Sequence, residues 1–121
     1  MTYNWYDFLV FARNLNINPT FVSCVCEEET IKRNIVSRSY YAAFHHAKNH
    51  AEDQGNFKFP KVGVHSAVQR WYKDKRQFKV LNDLRELSDW RDKCDYHDEI
   101  SNLDKLVKDS LKGAERIHHY F

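Results

Sequence analysis

At 121 residues the chain is long enough for one domain with a single modest core and too short for two. Apolar residues make up 42% and aromatics 15%, while three Gly and two Pro leave few turn breakers; this favours long helices over a many-turned β-sandwich. A formal net charge of +2 excludes nucleic-acid binding through the overall field, so any RNA or DNA contact needs a local patch.

The opening MTYNWYDF lacks the basic region and apolar run of a signal peptide. No apolar stretch nears the roughly 20 residues that span a bilayer. Cys24, Cys26 and Cys94 are an odd number, and one residue between Cys24 and Cys26 is tighter than the spacing of a zinc knuckle. Reduced cysteines in a cytoplasmic protein without metal or cofactor are the expectation.

Five helices follow in chain order, with no strand alternation and no internal repeat. The first runs from about Trp5 to Leu15, with Asn4 as N-cap and Trp5, Phe8, Leu9, Ala12 and Leu15 on one stripe; Pro19 stops it. The second and longest spans about Glu27 to Gln54. Glu27, Glu28 and Glu29 suit its N-terminal dipole, Ile31, Ile35, Tyr40, Phe44 and Ala51 continue an apolar face, and Gly55 closes it. Small residues at Ser39, Ala42, Ala43 and Ala47 let a neighbouring helix come close. A loop at Asn56 to Gly63 leads to a short third helix, about Val64 to Tyr72. The fourth covers about Gln77 to Lys93, with Phe78, Leu81, Leu84, Leu87 and Trp90 apolar. The fifth starts near Asp98 to Ser101, where Ser101 and Asp104 have capping-box spacing. Its apolar positions, Leu103, Val107, Ala114, Ile117 and Phe121, reach the end of the sequence. Residues 1–121 therefore read as one all-α domain, an antiparallel bundle of four to five helices with a broken junction around 93–100.

The segment SDWRDKCDYHDE (88–99) holds the sharpest chemical candidates. Arg91 and His97 are six positions apart, which on a straight helix separates them by roughly 120° in azimuth and about 9 Å along the axis. They share a face only if the helix breaks or a second chain contributes. Arg91 and Asp95, at i,i+4, form a natural ion pair, so by spacing alone the segment is a charged helix end. A guanidinium and an imidazole brought together would suit phosphodiester cleavage. The first binds phosphate and stabilises charge on pentacoordinate phosphorus, and the second titrates near neutrality and moves a proton.

Three blocks, SRSYYAAFHHAKNHAE (37–52), HSAVQRWY (65–72) and LRELSDWRDKCDYHDE (84–99), resemble the HEPN domain superfamily. The likeness is to its small stand-alone prokaryotic members and covers about residues 27–120. Ribonucleases of that family carry an Arg, then a polar residue, then a His after four to six intervening positions. Arg91, Asp92 and His97 fit this pattern. The resemblance implies a helical domain that dimerises so that two such motifs face one cleft. It implies metal-independent RNA cleavage, by a toxin of a toxin–antitoxin pair or a defence effector, with Arg91, His97 and Asp92 catalytic and Asp95 and Tyr96 supporting. The alternative it leaves open is a non-catalytic HEPN module that binds a nucleotide or a nucleotidyltransferase-type partner.

Weaker RNA-binding candidates are Arg38, His65, Lys73, Lys75 and Arg76. Arg38 can form an ion pair or reach phosphate. His65 caps the third helix or lines the cleft. WYKDKRQFK (71–79) is a solvated basic corner or a backbone patch with stacking rings. His46 and His50 have the i,i+4 spacing of metal ligands, but HHAKNH lacks the H-E-x-x-H glutamate and a third ligand, so partly packed or solvated histidines are expected.

Overall fold

Helix α1 (Tyr6–Ile17) starts where Asn4 predicts, the Asn4 Oδ1 accepting from the Tyr6 N–H at 3.1 Å. The computed structural model describes residues 3–17 and 28–121, and so leaves the Pro19 stop, Glu27 and the Cys24–Cys26 pair outside the described residues. Among the described residues four further helices follow: α2 (Glu28–Gly55), α3 (Val64–Asp74), α4 (Phe78–Tyr96) and α5 (Leu103–Tyr120). The described residues contain no strand. No helix among them is long and apolar enough to cross a membrane.

Helix α2 is the central post, packed against every other described helix. The small residues read from the sequence are the reason. Ser39, Ala42, Ala43 and Ala47 are all fully buried, which lets neighbouring backbones approach. Partner contacts fix the directions. Lys32 near the start of α2 pairs with Asp104 at the start of α5 (2.6 Å), and His46 meets His118 further along both, so α2 and α5 run parallel. Arg33 at the start of α2 reaches the end of α4, so these two are antiparallel. Tyr40 meets His65 and Ala47 meets Tyr72, so α3 runs with α2. The expected antiparallel bundle is thus mixed. Residues 56–63 carry the chain back along α2, and Glu52 secures them by accepting from the Phe59 N–H at 2.9 Å.

The core has two halves. One gathers Tyr40, Phe44, Ala47, Tyr72, Leu84, Leu87 and Ile117; the other gathers Ala12, Ile31, Ile35, Cys94 and Val107, with Trp90 and Leu111 packing against both. The buried hydroxyl of Tyr72 donates to the Ala47 carbonyl at 2.6 Å, satisfying the polar tip of a large core ring.

Three local expectations fail. Phe78, placed on the apolar face of α4, is 53% exposed, because it begins the helix at the corner after α3, beyond the reach of α2. Helix α2 ends at Gly55, but the left-handed closing conformation falls on Asn56 (φ 52°) rather than on the glycine, a conformation that asparagine tolerates. Helix α5 starts at Leu103, and Asn102 at its N-cap (φ 65°) makes no side-chain capping bond, so the Ser101–Asp104 box does not form.

Candidate functional site

Helix α4 runs unbroken through Tyr96, and this decides where Arg91 and its neighbours lie. Arg91 and Asp95 form the expected i,i+4 pair at 3.2 Å. Across from them, consecutive tyrosines on α2 present two rings about 100° apart around that helix. The Arg91 guanidinium carbon sits 5.3 Å from the Tyr40 ring centroid and 5.6 Å from that of Tyr41, within cation–π range. The Tyr41 hydroxyl lies 3.5 Å from Nη1. Only 16% of the Arg91 side chain is exposed, and Nε is buried without a hydrogen-bond partner. Both of the guanidinium's hydrogen bonds leave Nη1, so the Nη2 side of the fork is uncommitted. Burial works against the charge, but Tyr41 and Asp95 outweigh it and raise the pKa, so the cation is permanent.

The histidine beside this cation is His65. Its Nδ1 is hydrogen-bonded to the Tyr40 hydroxyl, and its ring stacks on Phe44 at 4.1 Å. Burial, and then the charge of Arg91, lower its pKa, which favours neutral imidazole. Burial pushes the Tyr40 phenol up to about 12, against the opposing pull of Ser88 and Arg91, so the phenol keeps its proton. Farther along α2, His45 stacks on Trp5 at 3.7 Å. Burial, with the charge of Lys48 and then His65, lowers its pKa to about 4.

His97 stands apart. It follows the last residue of α4 in extended conformation (φ −91°, ψ 132°) and is exposed. Its contacts are made by its backbone. The N–H donates to the Lys93 carbonyl at 3.0 Å, and the carbonyl accepts from Arg33 at 2.6 Å. The same guanidinium takes the Cys94 carbonyl at 3.0 Å and the Asp98 carbonyl at 3.0 Å. Arg33 is therefore the cap of α4: a cation placed where the dipole is negative and the terminal carbonyls lack helical partners. Among the described residues, no hydrogen bond, ion pair or ring contact joins Arg91 to His97. The break expected across 93–100 is confined to 97–102, beyond both Arg91 and Asp95.

Of the remaining site candidates, Asp92 is exposed and in no ion pair among the described residues, so Asp95 is the acid that orients Arg91. Tyr96 is 71% exposed. Arg38 lies over the Phe8 ring at 4.9 Å, a contact between α1 and α2. Lys75 lies over Trp71 at 5.6 Å, and Lys73 lines a groove between α3 and α4. Arg76 occupies the left-handed turn between those helices (φ 57°). His46 and His50 both stack on Phe121, at 5.2 and 3.8 Å, and the described residues hold no cluster of three metal-ligating side chains.

Sequence reasoning missed the capping role of Arg33 and the Tyr40–His65–Arg91 assembly. Both are made by residues 25 to 65 positions apart, so no local spacing announces them. No family model, curated protein or solved structure matches the chain.

Proposed function

We propose that the protein is a metal-independent endoribonuclease of HEPN type that acts as a dimer. The observation that carries this reading is the Arg91 guanidinium, held by Asp95 against the Tyr40 and Tyr41 rings with one side of its fork uncommitted. A planar cation so fixed can offer the hydrogens of Nη2 to a phosphate and stabilise the charge that grows on phosphorus during attack. His97 is exposed at the junction beyond the helix and, in one chain, is not paired with Arg91. The active cleft then draws on two protomers, Arg91 from one and His97 from its partner.

In this mechanism the histidine takes the proton of the RNA 2′-hydroxyl. The 2′-oxygen bonds to phosphorus, the bond from phosphorus to the 5′-oxygen breaks, and that oxygen takes a proton from water as it leaves, while the imidazolium returns its own proton to the solvent. The products are a 2′,3′-cyclic phosphate and a 5′-hydroxyl. No redox change and no metal-bound nucleophile is involved. A toxin of a toxin–antitoxin pair, or a defence effector, is the setting that suits such an activity, with a nucleotidyltransferase-type protein as its antitoxin.

The test is cleavage of single-stranded RNA in EDTA. The wild type should cut RNA and spare a 2′-deoxy strand. Arg91→Ala and His97→Ala should each lower the rate by at least about a hundredfold, the scale of a lost transition-state donor or proton-transfer group, with helical circular dichroism unchanged. Cutting that needs a divalent metal, or that survives His97→Ala, contradicts the mechanism. The separation of Arg91 from His97 favours a second reading, a non-catalytic HEPN module that binds a nucleotide or protein partner through the same face. Binding without turnover would identify it.

A further inference from the structure

Positive charge without a partner gathers at one corner of the molecule. Residues 70–85 carry six cations, Arg70, Lys73, Lys75, Arg76, Lys79 and Arg85, against the two acids Asp74 and Asp83. Asp83 is already engaged by Arg116 at 2.9 Å. None of the six cations forms an ion pair among the described residues, whereas Lys32, Arg33, Lys48 and Arg91 each do. Like charges crowded in this way repel one another, and an anion laid across them relieves the repulsion.

Two concavities open at this corner. One, of about 320 Å³, lies between α3 and α4 and is lined by Ser66, Gln69, Arg70, Lys73, Asp74 and Arg85. Ser66, Gln69, Arg70 and Lys73 follow the i, i+3, i+4, i+7 pattern, so one face of α3 supplies them all. The other, of about 500 Å³, lies at the start of α4, where Phe78 and Tyr120 meet Arg76 and Lys79. Phe78 and Tyr120 are among the exposed large rings of the chain. Phe78 and Arg85 are seven residues apart on α4, so they share a face, roughly 10 Å apart along the axis.

We infer that the α3–α4 corner binds a single nucleic-acid strand. Arg70, Lys73 and Arg85 hold its phosphates, and Phe78 and Tyr120 stack a base. Cations alone would serve any polyanion. The exposed rings beside them favour a ligand with flat faces, and the neutral donors of Ser66 and Gln69 suit phosphate oxygens. His65, which precedes Ser66 on α3, neighbours the Arg91 guanidinium. That the strand is RNA rests on the proposed ribonuclease reading; the binding surface does not.

The test uses the full chain and a fluorescein-labelled 2′-O-methyl oligouridine of about 12 nucleotides, which cannot be cut through its 2′-oxygen. Anisotropy is measured from about 50 to 200 mM KCl. Arg70→Gln/Arg85→Gln should weaken binding at least about tenfold and flatten the slope of log K against log salt by about 1.4, the loss of two single-strand phosphate contacts. Phe78→Ala should weaken binding roughly tenfold and leave the slope unchanged. Lys108→Gln/Lys112→Gln, the same charge change on exposed residues of α5, should alter neither. Equal losses from the two double variants, absence of oligonucleotide binding, or binding of polyglutamate in its place would overturn the inference. Because no cleavage is measured, a bound oligonucleotide in a protein that cuts no RNA upholds the corner and removes the proposed activity. Cleavage by a protein whose binding ignores Arg70, Arg85 and Phe78 does the reverse.

Discussion

Replacing Arg33 by Met keeps the aliphatic stem and removes the guanidinium that closes α4. Three carbonyls lose their donor: Cys94, His97 and Asp98. A hydrogen bond to a charged group contributes roughly 1.5–3 kcal/mol, but an acceptor that water can reach recovers most of that. The His97 and Asp98 bonds are exposed and the Cys94 bond is partly buried, so the Cys94 carbonyl bears most of the cost. The lost pair with Glu29, at 3.6 Å on the surface, adds only about 0.3–0.5 kcal/mol. The total is about 2 kcal/mol. Unfolding entropy of roughly 2.1 cal/mol/K per residue converts this into a fall in Tm of about 8 °C for a chain of this size. Circular dichroism melting reads the shift, and amide exchange locates it. The His97 N–H, bonded to the Lys93 carbonyl, should exchange faster by more than the global loss explains. A Tm change under about 2 °C with unaltered exchange at residues 94–98 would refute the assignment of Arg33 as the cap.

Three further outcomes follow from the packing. Gly113 lies inside α5, and a methyl there would meet Leu87 Cδ2 at 3.4 Å, an ordinary contact, so Gly113→Ala should stabilise by about 0.5–1 kcal/mol in chemical denaturation, and a loss would show that Leu87 cannot yield. Burial lowers the pKa of His118 to about 4, with neighbouring His46 adding to it, and His46 is itself lowered by burial. The unfolded chain therefore binds more protons than the folded one between about pH 6.5 and 4, and stability should fall as the pH drops through that window. His118→Leu should flatten this acid limb of the Tm profile. Burial pushes the Cys94 thiol up to about 11, so iodoacetamide at neutral pH should leave the peptide carrying Cys94 unmodified in the folded protein and label it in denaturant, read by mass spectrometry.

What the sequence discloses here is whatever repeats along one helix. The stripe of Leu9 and Ala12, the small-residue run from Ser39 to Ala47, and the Arg91–Asp95 pair all depend on separations of three or four residues, and each stands in the structure as read. Phe78 fitted the same period and is exposed, because periodicity says which side of a helix is apolar but not how far its neighbours extend. Helix α4 continued past Lys93 because Arg33, from a helix far away in sequence, holds its last carbonyls. His65 was singled out in the sequence, but its partners were hidden: Tyr40 and Phe44 lie on α2, and the return path through 56–63 brings them together. Asp92 matched a spacing pattern, yet the helix rotates it to solvent, and Asp95 makes the contact.

The central claim, a ribonuclease site shared between two protomers, is tested most directly by mixing inactive variants. Arg91→Ala and His97→Ala proteins are prepared separately, allowed to exchange subunits, and assayed on single-stranded RNA in EDTA. If each cleft takes Arg91 from one chain and His97 from the other, half of a randomly exchanged population is mixed and each mixed dimer regains one intact cleft, so about a quarter of wild-type activity should return. A mixture that stays inactive beside an active wild type would place both groups in one chain, and a wild type that cuts no RNA in EDTA would contradict the ribonuclease itself.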